Sequence, residues 1–325
     1  MILAGIDIGT NSLRLLIAQT AGGSLRKIST DRRTTRLGRG LEGSGRISEA
    51  SAVRTIAGLR EFMSAAAAAG VQETEAVGTS ALRRAGNAEE FIRRARSEAG
   101  VSITVLTGTD EARLTVRGIS AGLKQGNDSP HAETETTVFV DIGGGSTEII
   151  VTERHELAGV FSISLGAVYL TERYLHGDPP AADEIAMLRS AIRNELSGLG
   201  AGAGRTRLQR ARMIGTAGTI TTLASMYLRL KQYDSERISS TVLTRAFIDA
   251  TTQSLGASTL NARSKIEGLE SGREDIIFAG ALVLQELMDH WDIGELRVSD
   301  WGLREGVVLD LADRLAGPGK KPQGK

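Results

Sequence analysis

Two short stretches of the chain decide the fold: GIDIGTNS at residues 5–12 and VDIGGGST at residues 140–147. Each stretch follows an apolar run and combines an aspartate, glycines and hydroxyl side chains in one turn. A polar, glycine-bearing turn between two apolar runs is typical of a β-hairpin. We therefore predict a hairpin at each stretch, and the repetition of the turn in both halves indicates a duplicated domain.

Strand-like and helix-like segments alternate around both turns, which is typical of an α/β protein. Residues 124–136, KQGNDSPHAETET, are polar and include Gly, Asn, Ser and Pro, so we predict a linker between two related domains there. The predicted boundaries are an N-terminal domain over residues 1–124, a C-terminal domain over residues 125–310, and a helix end with a disordered tail over residues 311–325.

The composition excludes several classes of protein. Lys and Arg total 39, as do Asp and Glu, so the formal net charge is zero, which argues against a general nucleic-acid or membrane binder. There is no cysteine, and the four histidines lack the spacing of zinc ligands. No apolar run reaches the roughly 18 residues of a membrane span, and no basic leader precedes the first strand. We expect a soluble cytoplasmic protein; the sequence does not fix its oligomeric state, and a homodimer stays open.

The residue types of the two turns suit a phosphate ligand. Glycines allow close backbone approach, and successive backbone N–H groups form a concave site for anions. A carboxylate repels phosphate, so the aspartates suggest a bridging divalent cation or an oriented water. One such turn fits any ordinary hairpin, but two matched copies favour a function. The predicted phosphate-binding residues of the two turns are Asp7, Gly9, Thr10, Asn11, Ser12, Gly143, Gly144, Gly145, Ser146 and Thr147.

A third glycine-rich element, IGTAGTITTLA at residues 214–224, leads from a predicted strand into a predicted helix. The N-terminus of that helix would point at an anion, although a glycine-rich strand-to-helix connection without a ligand has the same sequence pattern. The predicted phosphate-binding residues here are Gly215, Thr216, Gly218 and Thr219.

The paired turns followed by this third element resemble the sugar kinase/heat-shock/actin superfamily. Within it, the chain is similar to the exopolyphosphatase/guanosine pentaphosphate phosphohydrolase family, in its short two-domain form. The resemblance implies two similar actin-like (ribonuclease H-like) domains with a cleft between them. The stretches that carry it are RTTRLGRGL at 33–41, AVGTSALRRAGN at 76–87, VLTGTDEARL at 105–114, DIGGGSTEI at 141–149, IGTAGTITTLA at 214–224 and VSDWGLREGV at 298–307.

The same resemblance implies roles for individual residues. Glu111 falls on the catalytic glutamate of the family, and Asp110 stands where the family usually has a second glutamate. Asp141 and Glu148 fall on the metal-associated acids, and their spacing on the two arms of one turn allows both to face one Mg²⁺ or Mn²⁺. Arg14 falls on the arginine that binds substrate phosphate. Arg83 is predicted to bind phosphate because it lies in the family-like loop TSALRR.

The predicted activity is metal-dependent removal of terminal phosphate from inorganic polyphosphate, with release of orthophosphate. The nearest alternative is hydrolysis of the 5′-phosphate of pppGpp to give ppGpp, and the sequence barely separates the two. An ATP-dependent small-molecule kinase of the wider superfamily and a non-catalytic phosphate-polymer sensor are further alternatives. Phosphate release without an acceptor or ATP would argue against the kinase, and loss of hydrolysis in Glu111→Gln with retained binding would argue against the sensor.

Overall fold

The computed structural model describes residues 1–125, 136–154, 156–200, 208 and 211–317. Its internal contacts divide these residues into two compact units. One unit contains the described residues up to 125 together with those from 301 onward, and the other contains the described residues from 136 to 300.

The first unit is built on a five-stranded mixed sheet with strand order β3-β2-β1-β4-β5. β1, β2 and β3 are antiparallel neighbours, whereas β4 and β5 run parallel to β1. The strands are β1 (Ile2–Ile8), β2 (Ser12–Ala21), β3 (Ser24–Thr34), β4 (Glu73–Gly78) and β5 (Ile103–Val105). The helices are α1 (Leu41–Ser44), α2 (Glu49–Ala68), α3 (Ser80–Arg84), α4 (Ala88–Ala99), α5 (Gly108–Gln125) and the last helix of the chain, α13 (Leu303–Ala316).

The second unit is built on a six-stranded mixed sheet with strand order β10-β11-β9-β6-β7-β8. Its strands are β6 (Thr136–Ile142), β7 (Thr147–Glu153), β8 (Glu156–Ile163), β9 (Arg212–Thr216), β10 (Val242–Thr244) and β11 (Glu295–Val298). Its helices within the described residues are α6 (Ala167–Tyr174), α7 (Ala182–Ser197), α8 (Ala217–Tyr227), α9 (Ser235–Ser239), α10 (Arg245–Gly256), α11 (Leu260–Arg263) and α12 (Ile277–Trp291).

The two sheets repeat one topology. β3-β2-β1-β4-β5 matches β8-β7-β6-β9-β11 strand for strand and direction for direction, and β10 is an added antiparallel edge strand in the second sheet. Both predicted hairpins are present, because β1 pairs antiparallel with β2 and β6 with β7. The duplication predicted from the two turns is therefore a feature of the structure.

Helices cover both faces of the first sheet, which explains the nearly continuous apolar runs of its central strands. In the first unit one face packs on α2, where Phe62 is fully buried, and the other face packs on α13 through Val308. In the second unit α8 and α12 supply Ile220, Leu282 and Trp291 to a single large core. Each such side chain contributes about 1.5–3 kcal/mol through its burial.

The structure places the second domain boundary differently from the predicted residue 310. Residues 301–317 belong to the first unit, because α13 packs its apolar face against the first sheet, where Val308 joins Leu3 and Leu16 in one cluster. Most of the predicted linker and most of the predicted tail lie outside the described residues, as do residues 201–207.

Two local predictions have different outcomes. Helical spacing over residues 48–69 predicts a helix that starts at Ser48, and the hydroxyl of Ser48 caps α2 by accepting the N–H of Ser51. Residues 87–90 (NAEE) predict a capping box at the start of α4. Asn87 does not form it, because its side chain is bonded to the backbone N–H and carbonyl of Ile47 at 2.8 and 3.0 Å. No helix in the described part of the chain is both long and apolar enough to cross a membrane.

Candidate functional site

The first turn, between β1 and β2, is closed by a hydrogen bond from the N–H of Gly9 to the carbonyl of Ser12 at 3.1 Å. The carbonyls of Thr10 and Asn11 accept the N–H groups of Gly38 and Arg36, both at 2.9 Å. The stretch RTTRLGRGL therefore binds the backbone of the first turn through these two hydrogen bonds. It also packs closely on the turn, because a β-carbon at Gly38 would overlap the Thr10 side chain. The conformation of the first turn is therefore set by a segment more than 20 residues away in sequence.

Three polar atoms of the first turn are buried without a hydrogen-bond partner among the described residues: Nδ2 of Asn11, Oγ of Ser12 and Oδ1 of Asp7. Asn11 and Ser12 are 7% and 6% exposed. A buried donor without a partner costs about 1–3 kcal/mol, so native proteins keep few of them away from functional sites. The two donors of this turn fit an oxygen-rich anion, as the sequence predicts.

Asp7 lies at the centre of a charged group in the first unit. It stands directly opposite Arg14 in the β1–β2 register, which puts the predicted phosphate arginine beside the first turn. Burial raises the pKa of Asp7 above its ordinary value, while the positive charges of Arg14 and Arg304 act in the opposite direction and Glu305 adds to the increase. The sequence analysis did not select Arg304, although it belongs to the family-like stretch at residues 298–307.

Glu111 lies in the first turn of α5 and is 7% exposed. Its Oε2 accepts a hydrogen bond from Nη1 of Arg83 at 2.6 Å, and the same Nη1 donates to the carbonyl of Leu106 at 3.0 Å. Two residues predicted separately, the base and a phosphate arginine, are therefore in direct contact. The Leu106 contact fixes the guanidinium, and the guanidinium in turn fixes the carboxylate.

Asp110, the neighbouring acid, has a different position. Its carboxylate accepts the hydroxyl of Thr107 at 2.6 Å, and its N–H donates to that hydroxyl oxygen at 3.1 Å. This reciprocal pair caps the beginning of α5, and Asp110 is exposed. The geometry thus separates the two adjacent acids and supports the preference for Glu111 as the base.

The second turn, between β6 and β7, has the same closure, with the N–H of Gly143 bonded to the carbonyl of Ser146 at 3.0 Å. The carbonyls of Gly143 and Gly144 accept N–H groups from the beginning of α6 at 2.9 and 2.8 Å. A β-carbon on Gly166, which precedes α6, would overlap the backbone of Gly145. The glycines of this turn are needed because α6 begins directly against them.

Asp141 and Glu148 stand directly opposite each other in the β6–β7 register, and they are 8% and 1% exposed. The hydroxyl of Ser162 donates to Oε1 of Glu148 at 2.8 Å. Among the described residues no group of three or more His, Cys, Asp or Glu side chains is arranged to hold a metal ion. Two facing carboxylates are nevertheless a suitable site for Mg²⁺, which is commonly held by one or two carboxylates with waters and substrate phosphates as its other ligands.

The third element, at the junction of β9 and α8, is also buried, with Thr216 and Thr219 at 3% and 2% exposed. Ala217, at the first position of α8, has φ of 67°, a left-handed conformation that is uncommon outside glycine. The N-terminal turn of α8 follows directly, so its N–H groups lie at the end of β9 as predicted.

One cation at this element was missed by the sequence analysis. The guanidinium of Arg273 lies so close to Gly218 that a β-carbon there would overlap it, and Arg273 is 5% exposed. Its Nε donates to Oε2 of Glu270 at 2.6 Å, and the same oxygen accepts the hydroxyl of Thr222 at 3.1 Å. The irregular, polar segment that contains Arg273 has no periodicity from which this contact could be predicted.

Duplicated mixed sheets, each with an acidic, glycine-rich hairpin turn at its centre, define an α/β protein of the actin-like class. A model of the Ppx/GppA phosphatase family matches residues 16–315. The chain therefore belongs to the Ppx/GppA phosphatase family, and the resemblance and fold class predicted from the sequence are confirmed.

Relatives of the chain match it over nearly their full lengths. It is 34% identical to exopolyphosphatase 2 of Mycobacterium tuberculosis, covering 95% of this chain and 98% of that protein. It is 32% identical to exopolyphosphatase 1 of Mycobacterium leprae, covering 97% and 91% respectively.

Solved structures show the same similarity. A crystal structure of the Aquifex aeolicus Ppx/GppA family member has a TM-score of 0.78 and 32% identity, covering 98% of this chain and 99% of that one. An exopolyphosphatase from Cytophaga hutchinsonii has a TM-score of 0.84 and 26% identity, covering 97% and 98%.

Proposed function

We propose that this protein is an exopolyphosphatase that hydrolyses the terminal phosphate of inorganic polyphosphate and releases orthophosphate. The observation that carries the proposal is a pair of buried donors in the first turn, Asn11 Nδ2 and Ser12 Oγ, which have no partner among the residues that the structure describes. A terminal phosphate would satisfy both donors. The names of the two mycobacterial relatives, exopolyphosphatase 2 and exopolyphosphatase 1, support the same substrate.

The protein has little covalent chemistry to supply, because phosphoryl transfer to water depends mainly on positioning and charge stabilisation. We assign Glu111 as the general base that accepts the proton of the attacking water. The hydrogen bond from Arg83 holds one oxygen of the Glu111 carboxylate in place, and this sets the orientation of the carboxylate. A guanidinium carries five N–H donors, so the contact between Arg83 and Glu111 is compatible with a further contact to phosphate.

We propose Asp141 and Glu148 as the residues that hold Mg²⁺ or Mn²⁺. When bound, the ion would offset the negative charge of the phosphate oxygens and the repulsion between the two facing carboxylates. The hydroxyl of Ser162 orients Glu148 from the neighbouring strand. The backbone N–H groups of residues 144–146 and of the first turn of α8 would supply further donors to phosphate, as the glycine content of the two segments predicts.

The alternative substrate is pppGpp, because the matching family model is named for both Ppx and GppA. The reaction would be the same cleavage of a terminal phosphoric anhydride. The two proposals assign the same residues. They differ only in the part of the substrate beyond the second phosphate, which is more of the phosphate chain in polyphosphate and the guanosine part in pppGpp.

A phosphate-release assay tests the proposal with polyphosphate of several lengths, pppGpp and ATP, each with and without Mg²⁺. We expect the highest kcat/KM with polyphosphate, and only when Mg²⁺ is present. A higher kcat/KM with pppGpp would reverse the order of the two substrates. Turnover of ATP that requires an added acceptor would contradict both hydrolase proposals and would indicate a kinase.

A further inference from the structure

An irregular segment of the second unit runs along the surface of α8 toward the third phosphate element. We call residues 264–275 the strap. Gly268 has φ of 83° and lies so close to the carbonyl of Ser225 that a β-carbon would overlap it. Further along the strap, Glu270 accepts the hydroxyl of Thr222 at 3.1 Å.

The strap ends at the phosphate element, because Arg273 packs on Gly218 in the first turn of α8. The three contacts on α8 are therefore made at positions 225, 222 and 218, which lie three and four residues apart and share one face of the helix. From residue 268 to residue 273, the strap contacts α8 at positions that lie progressively closer to the N-terminus of the helix. This path places the guanidinium of Arg273 where the helix N–H groups are directed.

The two ends of the strap are joined by one buried cation, Arg263, which is 2% exposed. Its Nε donates to the carbonyl of Leu255 at 3.0 Å, and its Nη1 donates to the carbonyl of Glu274 at 3.2 Å. Leu255 lies in α10, before the strap, whereas Glu274 is the residue after Arg273. One rigid guanidinium thus fixes the spacing between the helix that precedes the strap and the residue beside Arg273.

Placing a cation here has an unfavourable electrostatic cost. Burial lowers the pKa of Arg263, and Asp178 and Asp275 only partly oppose that effect. Its Nη2 is buried without a hydrogen-bond partner in the described part of the chain, and the guanidinium carbon lies 5.6 Å from the centroid of the Phe278 ring. An apolar side chain would fill this position at lower electrostatic cost, so the geometry of two directed donors is what the arginine contributes.

We propose that Arg263 is a positioning residue for the phosphate site, acting by closing the strap so that Arg273 stays against Gly218. The proposal rests on the proposed function, because it assigns Arg273 to substrate phosphate. Arg263 itself touches no substrate. Its effect reaches the reaction only through the position of the Arg273 guanidinium, whose orientation is further fixed by Glu270.

A double-mutant cycle on polyphosphate hydrolysis tests this coupling. We expect Arg273→Met to lower kcat/KM by about 100-fold and Arg263→Met to lower it by about tenfold, since small misplacements of a binding group have effects of this size. The double variant should be no slower than Arg273→Met alone, because Arg263 has nothing left to position. Both single variants should raise KM and reduce its dependence on salt, as expected when one phosphate contact is lost.

Arg193→Met is the matched control, because Arg193 pairs with the buried Glu286 elsewhere in the second unit. It should leave kcat/KM unchanged, and its combination with Arg273→Met should leave the Arg273→Met value unchanged. Arg263→Lys, which keeps the charge but lacks the fork of donors, should behave like Arg263→Met. It also serves as the test variant if Arg263→Met does not fold.

Hydrogen exchange of residues 264–275 gives a readout that does not depend on activity. Exchange in the strap should be faster in either Arg263 variant than in the wild type, and unchanged in Arg193→Met. Multiplicative losses in the cycle, or unchanged exchange in the strap, would overturn the positioning role. Absence of polyphosphate hydrolysis in the wild type would instead overturn the proposed function. The hydrogen-exchange result would then still test whether Arg263 fixes the strap.

Discussion

At the scale of single residues, Glu111 and Asp110 are adjacent acids in different surroundings, and we propose only Glu111 as the base. Glu111→Gln should lower kcat by about a thousandfold, because an amide cannot accept the proton of the attacking water. The side chain keeps its shape and its contact with Arg83, so the thermal unfolding temperature should change little. Phosphate release from polyphosphate and a melting curve measure the two effects.

Asp110→Asn is the matched control for that experiment. An amide oxygen still accepts the Thr107 hydroxyl, so the cost in stability should stay below about 1 kcal/mol. The rate of phosphate release should stay near that of the wild type. A large loss of kcat in Asp110→Asn with normal activity in Glu111→Gln would exchange the roles of the two acids.

Asp7 should make stability depend on pH. Its pKa is raised in the folded state, mainly by burial, so between the ordinary value of 3.8 and the raised value the folded state binds more protons than the unfolded state. The free energy of unfolding contributed by Asp7 is therefore fully present below pH 3.8 and is lost as the pH rises through the folded pKa.

The variant Asp7→Asn isolates this effect. Because the amide does not ionise, the variant should gain stability relative to the wild type as the pH rises from 4 toward 7. Urea unfolding at several pH values measures the difference. A difference that stays constant, or that falls as the pH rises, would show that ionisation of Asp7 does not oppose folding.

The sequence predicted candidate residues that lie within local motifs, and it missed contacts that depend on packing. Glu111 could be assigned because a strand-to-helix junction and a family-like stretch surround it. Arg273 could not, because its position on Gly218 depends on the path of the strap along α8. Neither could the contact between Arg83 and Glu111, which are 28 residues apart in sequence.

At the scale of elements, the crossing of α5 and α13 is the closest helix contact of the first unit. A β-carbon on Gly118 would overlap the carbonyl of Gly302, and one on Gly306 would overlap the carbonyl of Leu114. Gly118→Ala or Gly306→Ala should therefore destabilise the protein by about 2 kcal/mol, since backbone atoms cannot move aside as a flexible side chain can.

Gly43→Ala is the matched control for the crossing. Gly43 lies in α1 of the same unit with no atom within 4 Å of an added β-carbon. Alanine there should be neutral or stabilising by up to about 1 kcal/mol, because it favours helix and restricts the unfolded chain. Denaturant unfolding of the three variants measures the differences in the free energy of unfolding. Equal stability of the three would show that α5 and α13 can move apart without a loss of stability.

Elements with a clear pattern were predicted, and short elements fixed by tertiary contacts were not. β1 and β6 were predicted from apolar runs that end at the acidic turns, and α2 from its spacing and its Ser48 cap. The eight residues of α6 were missed, because this helix begins where the carbonyls of Gly143 and Gly144 accept its N–H groups. The spacing of apolar residues over 303–315 predicts a helix, which is present as α13, but it does not reveal on which sheet the helix packs.

At the scale of the whole molecule, the duplication shows where the two repeats differ. Asp7 and Asp141 occupy equivalent positions, and so do Arg14 and Glu148, which stand opposite them. The first repeat therefore pairs an acid with a base across its hairpin, whereas the second pairs two acids. Like charges directly opposite each other destabilise a sheet. A cation between Asp141 and Glu148 would relieve that repulsion, whereas the equivalent positions of the first repeat hold Asp7 and Arg14.

Glu148→Arg tests this difference by giving the second repeat the charge pair of the first. The new opposite charge beside Asp141 should favour folding by about 0.2–1 kcal/mol. Fitting the longer arginine at a position that is 1% exposed should cost about 1–3 kcal/mol, so the variant should be somewhat less stable than the wild type without Mg²⁺. It should also lose phosphate release from polyphosphate. In the wild type, Mg²⁺ at ten times its dissociation constant should add about 1.4 kcal/mol of stability, and in the variant it should add almost none.

Glu153→Gln serves as the control because Glu153 is at the other end of β7, opposite Thr136. Melting curves across a Mg²⁺ titration compare the three proteins. Glu153→Gln should respond to Mg²⁺ as the wild type does, because the Asp141–Glu148 pair is unchanged. An equal response in Glu148→Arg would mean that the cation binds elsewhere. The asymmetry between the repeats would then need an explanation other than metal binding.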